Sequence, residues 1–145
     1  MNNPFASIAP ALLGHAIAHQ RSEVPDDDEV LTRLYRYLET TRPMLAEIAA
    51  AVCDFYHLRH YELTGASREF EAVLARQVFC FLASRYARAP STKIGRFIGR
   101  DHSTVLHSIR KVEKWMVSRP LLLDDIDLLR LRVSEKMLER RAARC

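Results

Sequence analysis

An all-α fold, a helical bundle containing a helix-turn-helix, is what this sequence predicts, and three observations predict it. Apolar residues recur at helical spacing from Val30 to Met137, and no period-two stretch competes as a strand. Pro43, Pro90 and Pro120 fall between the periodic runs rather than inside them. A Gly99-Arg100 turn followed by Asp101, a suitable N-cap, joins two of the runs tightly.

Met1 to Pro25 has weak periodicity and reads as a flexible arm, with Ile8 to Ala18 able to form a short helix on a partner. Residues 26–42 read as an extra N-terminal helix. Its acidic start, Asp26-Asp27-Asp28, suits the positive end of a helix dipole, and Val30, Leu31, Leu34, Tyr37 and Leu38 follow at helical spacing. Thr41-Arg42-Pro43 ends that helix and opens the next, with Pro43 at the first helical position and Leu45, Ile48, Ala49, Val52, Phe55 and Tyr56 as the apolar stripe. His57 to Ser67 is a connector with a turn of helix at Tyr61-Glu62-Leu63. The next helix, about Glu69 to Ala87, turns Phe70, Val73, Leu74, Val78, Phe81 and Leu82 inward until Ala89-Pro90-Ser91 breaks it. A short helix spans Thr92 to Ile98, and the helix capped by Asp101 carries Val105, Ile109, Val112 and Met116. Pro120 closes it, and a last helix from about Asp124 to Arg141 carries Ile126, Leu129, Val133 and Met137. Residues 43–145 thus form one domain behind the arm (1–25) and the extra helix (26–42).

The chain has 145 residues, 48% hydrophobic and 28% charged, enough for the core of one compact domain. Its four glycines, at 14, 65, 95 and 99, cannot build a nucleotide-hydrolysing phosphate loop, because Arg100 and Asp101 follow Gly99 where Lys and Ser or Thr are required. Phe5 to Ala18 is interrupted by Pro10, Gly14 and His15 and cannot span a bilayer, and no positive charge precedes Arg21 to make a signal peptide. Cys53, Cys80 and Cys145 form no CxxC pair, as expected of reduced thiols in a cytoplasmic protein. Charge is segregated. Residues 1–67 hold 5 basic and 9 acidic side chains, 68–119 hold 11 and 4, and 120–145 hold 6 and 5. The central basic block suggests a polyanionic partner, although a solvated helix face has the same composition.

Two helices joined by a tight glycine turn are the plan of a helix-turn-helix DNA reader. With Val105, Ile109, Val112 and Met116 inward, the opposite face shows His102, Ser103, Thr104, His107, Arg110, Lys111 and Lys114. The first three stand where a recognition helix touches base edges, and the later cations suit phosphates. An ordinary helical hairpin with a charged outer face shares this pattern.

Ile94-Gly95, the block Gly99-Arg100-Asp101-His102-Ser103-Thr104-Val105-Leu106-His107, and then Arg110-Lys111 resemble the signature of the bacterial replication initiator family DnaA, in its C-terminal duplex-binding domain. Ala75-Arg76-Gln77 resembles a second landmark of that domain, and the resemblance covers roughly Leu45 to Arg141. It implies a Trp-repressor-like helical bundle that binds a nine-base-pair box in double-stranded DNA. It also implies that Arg100, Asp101, His102, Ser103 and Thr104 contact bases in the major groove, and that Arg76, at the start of its helix, reaches the adjacent minor groove. His107, Arg110 and Lys111 would lie near phosphates, joined by Ser91, Thr92 and Lys93 at the opening of the first helix of the pair and by Lys114.

Three departures qualify the resemblance. No ATPase region lies within these residues, which implies a stand-alone DnaA-related protein. Thr64 to Glu71 has Arg68 as its only positive charge, and two glutamates there would face phosphates. Ser103 stands where the family usually has Thr, a methyl contact worth about 1 kcal/mol, and the preceding turn is one residue short.

Other constellations give less. Cys53, His57 and His60 lie at offsets of 4 and 3, but a fourth ligand is lacking and a helix end near His57 spoils the geometry, so no metal or other cofactor is expected. Asp101, His102 and Ser103 are sequence neighbours pointing about 100° apart on a helix, which makes no catalytic relay, so no enzyme is expected. His107 reads equally as a partly buried hydrogen-bonding histidine. Trp115 is expected against the last helix. Ile126, Leu129 and Val133 could form a coiled-coil seam, although Lys136 at the next position makes packing on the core simpler. The resulting expectation is a nucleoid-associated accessory regulator of replication initiation. The alternative is an adaptor that engages the initiator or its inactivating regulator and modulates stimulated ATP hydrolysis; a third reading is a transcription regulator.

Overall fold

The computed structural model describes residues 27–144. The arm over 1–25, its Ile8 to Ala18 stretch, Asp26 and Cys145 lie outside the described residues, as does the side chain of Leu38. Seven helices and no strand occur among the described residues: α1 (Asp27–Thr40), α2 (Leu45–Tyr56), α3 (His60–Thr64), α4 (Phe70–Arg85), α5 (Ser91–Ile98), α6 (His102–Ser118) and α7 (Pro120–Ala143). No helix among them is long and apolar enough to cross a membrane.

The core is assembled around α4, which touches α2, α3, α5 and α6. Ala72, Ala75, Val78, Phe79, Cys80, Phe81, Leu82 and Ala83 of α4 are all buried. A helix enclosed on several sides has little amphipathic contrast, so spacing alone orients it poorly. Phe70, expected inward, is the first residue of α4 and 77% exposed, whereas Phe79 is fully buried and stacks on Phe97 with ring centroids 5.3 Å apart. The helix also stops at Arg85 rather than Ala87. Burial pushes the Cys80 thiol up to about 12, so this cysteine behaves as a small apolar core residue.

Two proline positions differ from expectation. Pro43 is buried but stands outside α2, whose N-cap is Met44; the Met44 amide donates to Glu47 Oε1 at 2.7 Å. Glu47 Oε2 lies 3.2 Å from Arg140 Nε and so ties α2 to α7. Pro120 does not merely close α6 but opens α7, where a missing amide is harmless, leaving only Arg119 between the two helices. Ile126, Leu129 and Val133 are buried in the core, so they offer no seam to a second chain, and Lys136 Nζ meets Asp54 at 3.1 Å. At the other end, Leu31 packs on Leu131, and the Arg130 guanidinium lies 4.3 Å from the Tyr35 ring centroid and 5.3 Å from that of Tyr86. These contacts clamp α1 onto α7 and onto the end of α4.

The two phenylalanines of α4 give a test of its orientation. Phe79→Ala is expected to lower unfolding free energy by about 3–5 kcal/mol. Phe70→Ala should stay within about 0.5 kcal/mol of the parent protein, both read by urea denaturation. Equal losses from the two substitutions would refute this placement of the helix.

Candidate nucleic-acid interface

The turn between α5 and α6 is tight because two glycines allow it. Gly99 ends α5 in the left-handed region, with φ of 68°, a conformation that L side chains enter with strain. Its amide and that of Arg100 both return to the Gly95 carbonyl, the latter at 2.8 Å. Gly95 permits the close approach itself, since a Cβ there would lie 2.4 Å from the Arg100 carbonyl oxygen. Buried Ile94, Ile98 and Val105 then lock the two helices together.

Asp101 is the N-cap of α6. Its Oδ2 accepts from the Ser103 amide at 3.1 Å and from the Ser103 hydroxyl, and its Oδ1 lies 3.3 Å from His102 Nδ1. The Ser103 hydroxyl, followed by the Ser103 amide, holds this carboxyl below the usual carboxylate range. Asp101 and Ser103 are therefore engaged with each other, while His102 and Thr104 stand exposed beside them. Ser103, His107, Arg110 and Lys114, at offsets of 4, 3 and 4, share one exposed face of α6. His107 is exposed, which corrects its reading as a partly buried hydrogen-bonding residue. Lys111 is half-buried, with Nζ 4.9 Å from the centroid of Trp115, whose ring the Arg119 guanidinium also covers at 4.8 Å. Trp115 lines, with Phe70, Leu74, Leu121 and Leu122, an apolar groove of about 570 Å³.

At the opening of α5, Thr92 and Lys93 are exposed and Ser91 is half-buried. Thr92 borders a concavity of about 470 Å³ shared with Arg96, Gly99, Arg100, Asp101 and His102. Arg96 is an exposed cation that sequence reasoning missed. Its signal was its place one turn after Thr92, on the side of α5 facing the start of α6.

Arg76 differs most from expectation. It does not open its helix but lies six residues beyond Phe70, and it is only 8% exposed. Its Nε donates to the Leu63 carbonyl at 2.8 Å, and its Nη2 donates to the carbonyls of Glu62, at 3.2 Å, and Ser67. Arg100 supports the same segment from the other side: its Nη2 donates to the Gly65 carbonyl at 2.6 Å and its Nη1 to that of Gly99 at 3.2 Å. Burial, then the charge of Arg100, pulls the Arg76 guanidinium below its usual pKa. Two arginines thus hold four carbonyls of the stretch from Glu62 to Ser67.

The three candidate metal ligands are not gathered. Cys53 is buried, His57 is an exposed left-handed C-cap, and His60 is exposed and edge-on to Phe97 at 5.9 Å. No group of three His, Cys, Asp or Glu side chains suited to a metal occurs among the described residues.

Residues 45–112 match the family described as the bacterial dnaA protein helix-turn-helix. The chain is 36% identical over 110 residues to the chromosomal replication initiator protein DnaA of Bartonella quintana, covering 75% of this chain and 22% of that protein. It is 37% identical over 87 residues to the protein of the same name from Cereibacter sphaeroides, covering 59% and 19%. With that of Treponema pallidum it shares 30% identity over 114 residues, covering 76% and 25%. The chain therefore spans about a fifth to a quarter of the length of the curated relatives it matches.

The close approach at the turn is open to direct test. Gly95→Ala is expected to destabilise the fold by about 1–3 kcal/mol, because the new methyl meets backbone that cannot swing away. In a thermal melt each kcal/mol should appear as a fall in Tm of about 3–5 °C at this chain length. A Tm equal to the parent's would refute the geometry described for Gly95 and Arg100.

Proposed function

Residues 45–112 are a bacterial DnaA helix-turn-helix domain, and on that premise we propose that this chain is an accessory regulator of chromosome replication initiation that binds double-stranded DNA at box-like sites. The observation that carries the reading is the start of α6. His102 and Thr104 stand exposed on a helix whose next residue, Val105, is fully buried. Side chains fixed this way have the pre-organised geometry that base reading requires. Ser103 and Asp101 complete the block, and Arg100, at its head, keeps its Nε outside the bonds it makes to the carbonyls. The exposed line of His107, Arg110 and Lys114 runs along the same helix, and Thr92, Lys93 and Arg96 flank it on α5; these groups suit phosphates. The function is binding, and no reaction is assigned.

One observation favours the second reading, a protein adaptor acting on the initiator or its inactivating regulator. The groove at Trp115 is rimmed by Phe70, 77% exposed, and Leu121, 78% exposed, and apolar patches of this kind commonly mark protein contacts.

Fluorescence anisotropy against a box-containing duplex and a scrambled one, at about 50 and 150 mM salt, separates the two readings. Box preference of about tenfold or more is expected, and His102→Ala combined with Thr104→Ala should remove most of it. Arg110→Ala with Lys114→Ala should weaken both duplexes alike and flatten the log–log salt slope by about 0.9 for each phosphate no longer neutralised. Equal affinity for box and scrambled DNA would overturn sequence-directed binding and leave the adaptor reading in its place.

A further inference from the structure

We infer that the apolar groove beside Trp115 is the docking site of this chain's own N-terminal segment, with residues 9–17 as its occupant. The inference does not depend on the DNA reading.

Three helices build the groove at one end of the domain. Phe70 and Leu74 come from α4, Trp115 from α6, and Leu121 and Leu122 from α7, around about 570 Å³. Phe70 and Leu121 leave most of their surface to solvent on its rim. Apolar exposure gathered in this way is unfavourable in water until something covers it. The polar fringe is small: Gln77, Asp125 and two cations, Lys111 and Arg119, which lie 4.9 and 4.8 Å from the centroid of the Trp115 ring. A basic occupant would be repelled by those cations, whereas an apolar one without Lys or Arg is not.

The chain ahead of α1 has that composition. Residues 1–20 contain no Lys, Arg, Asp or Glu, and the first charged side chain is Arg21. Ala9, Leu12, Leu13, Ala16 and Ile17 fall at offsets of 3, 1, 3 and 1, the anchor spacing of a helix laid into a groove. Pro10 falls near the start of that stretch, where a helix tolerates a missing amide. An apolar segment and an uncovered apolar groove thus belong to one chain.

Tethering selects this occupant over an outside one. α1 packs on α7 through Leu31 and Leu131. Asp27 precedes Leu31 by about 6 Å of helix, and Leu122 precedes Leu131 by about 14 Å. Residues 18–26 span about 30 Å when extended, more than both distances together. A segment joined to its site by so short a link is present at an effective concentration of about millimolar, which a dilute second copy does not approach. A foreign protein that used the groove would first have to displace the segment.

Trp115 is the only tryptophan, so its emission reports on the groove. In the full chain, Leu13→Asp combined with Ile17→Asp is expected to shift that emission to longer wavelength and to raise its quenching by acrylamide. The buried core among residues 27–144 includes neither side chain, so the fold survives both changes. Leu12→p-benzoylphenylalanine, irradiated in the full chain, should crosslink within one chain to residues 70–77 or 111–125. Adding Leu121→Asp, a change on the exposed rim, should abolish that adduct. Trp115 quenching unchanged in the double variant, a crosslink elsewhere or none at all, or an adduct that survives Leu121→Asp would overturn the inference. So would a crosslinked dimer, which would give the groove to a second copy of the chain.

Discussion

The hydrogen bonds from Arg76 to the carbonyls of Glu62, Leu63 and Ser67 are the constraint on which the helix-turn-helix end of this domain depends. A buried guanidinium and a set of uncapped helix carbonyls are each unfavourable alone. Brought together they satisfy one another and fix where the chain goes between α3 and α4. Arg100 extends the arrangement to the helix-turn-helix through Gly65. The loop, the central helix and the turn before α6 are thereby joined by polar contacts on the surface side of an apolar core.

Most of the fold was legible in the sequence, and the reasons for the exceptions are physical. α2, α5 and α6 each bury one face, so apolar spacing finds them, and Asp101 caps as its position suggests. α4 fails the same rule because neighbours enclose it on several sides. Phe79 is then as well suited to the core as any other position, while Phe70 sits beyond the point where the core begins. Pro43 and Pro120 were each one element boundary out of place, since proline fixes φ but does not say on which side of it a helix lies.

The candidate site was legible in part. Exposure of His102, Thr104, Arg110 and Lys114 follows directly from the burial of Val105 and Val112 one face away. The partners of Arg76 were not legible, because a sequence shows a donor without showing which acceptors surround it. Its acceptors are main-chain carbonyls, which every residue carries and which leave no trace in side-chain identity. Lys111 was read as a phosphate ligand, yet its ammonium group lies over Trp115, a contact that depends on the crossing of α6 with its neighbours. Arg96 was overlooked for the opposite reason: nothing marked it until the concavity between α5 and α6 was formed.

The cations of this domain thus divide by duty. Arg76, Arg100 and Arg130 are held by carbonyls or rings and shape the scaffold. Arg68, Arg96, Arg110 and Lys114 project from it exposed. Removing one of the first group changes geometry and so disturbs every interaction made through the scaffold. Removing one of the second changes a single charge at the surface, an effect that added salt already screens. A loop with one exposed cation between two gripped carbonyls and a pair of exposed glutamates therefore presents a narrow point of attraction rather than a broad basic surface.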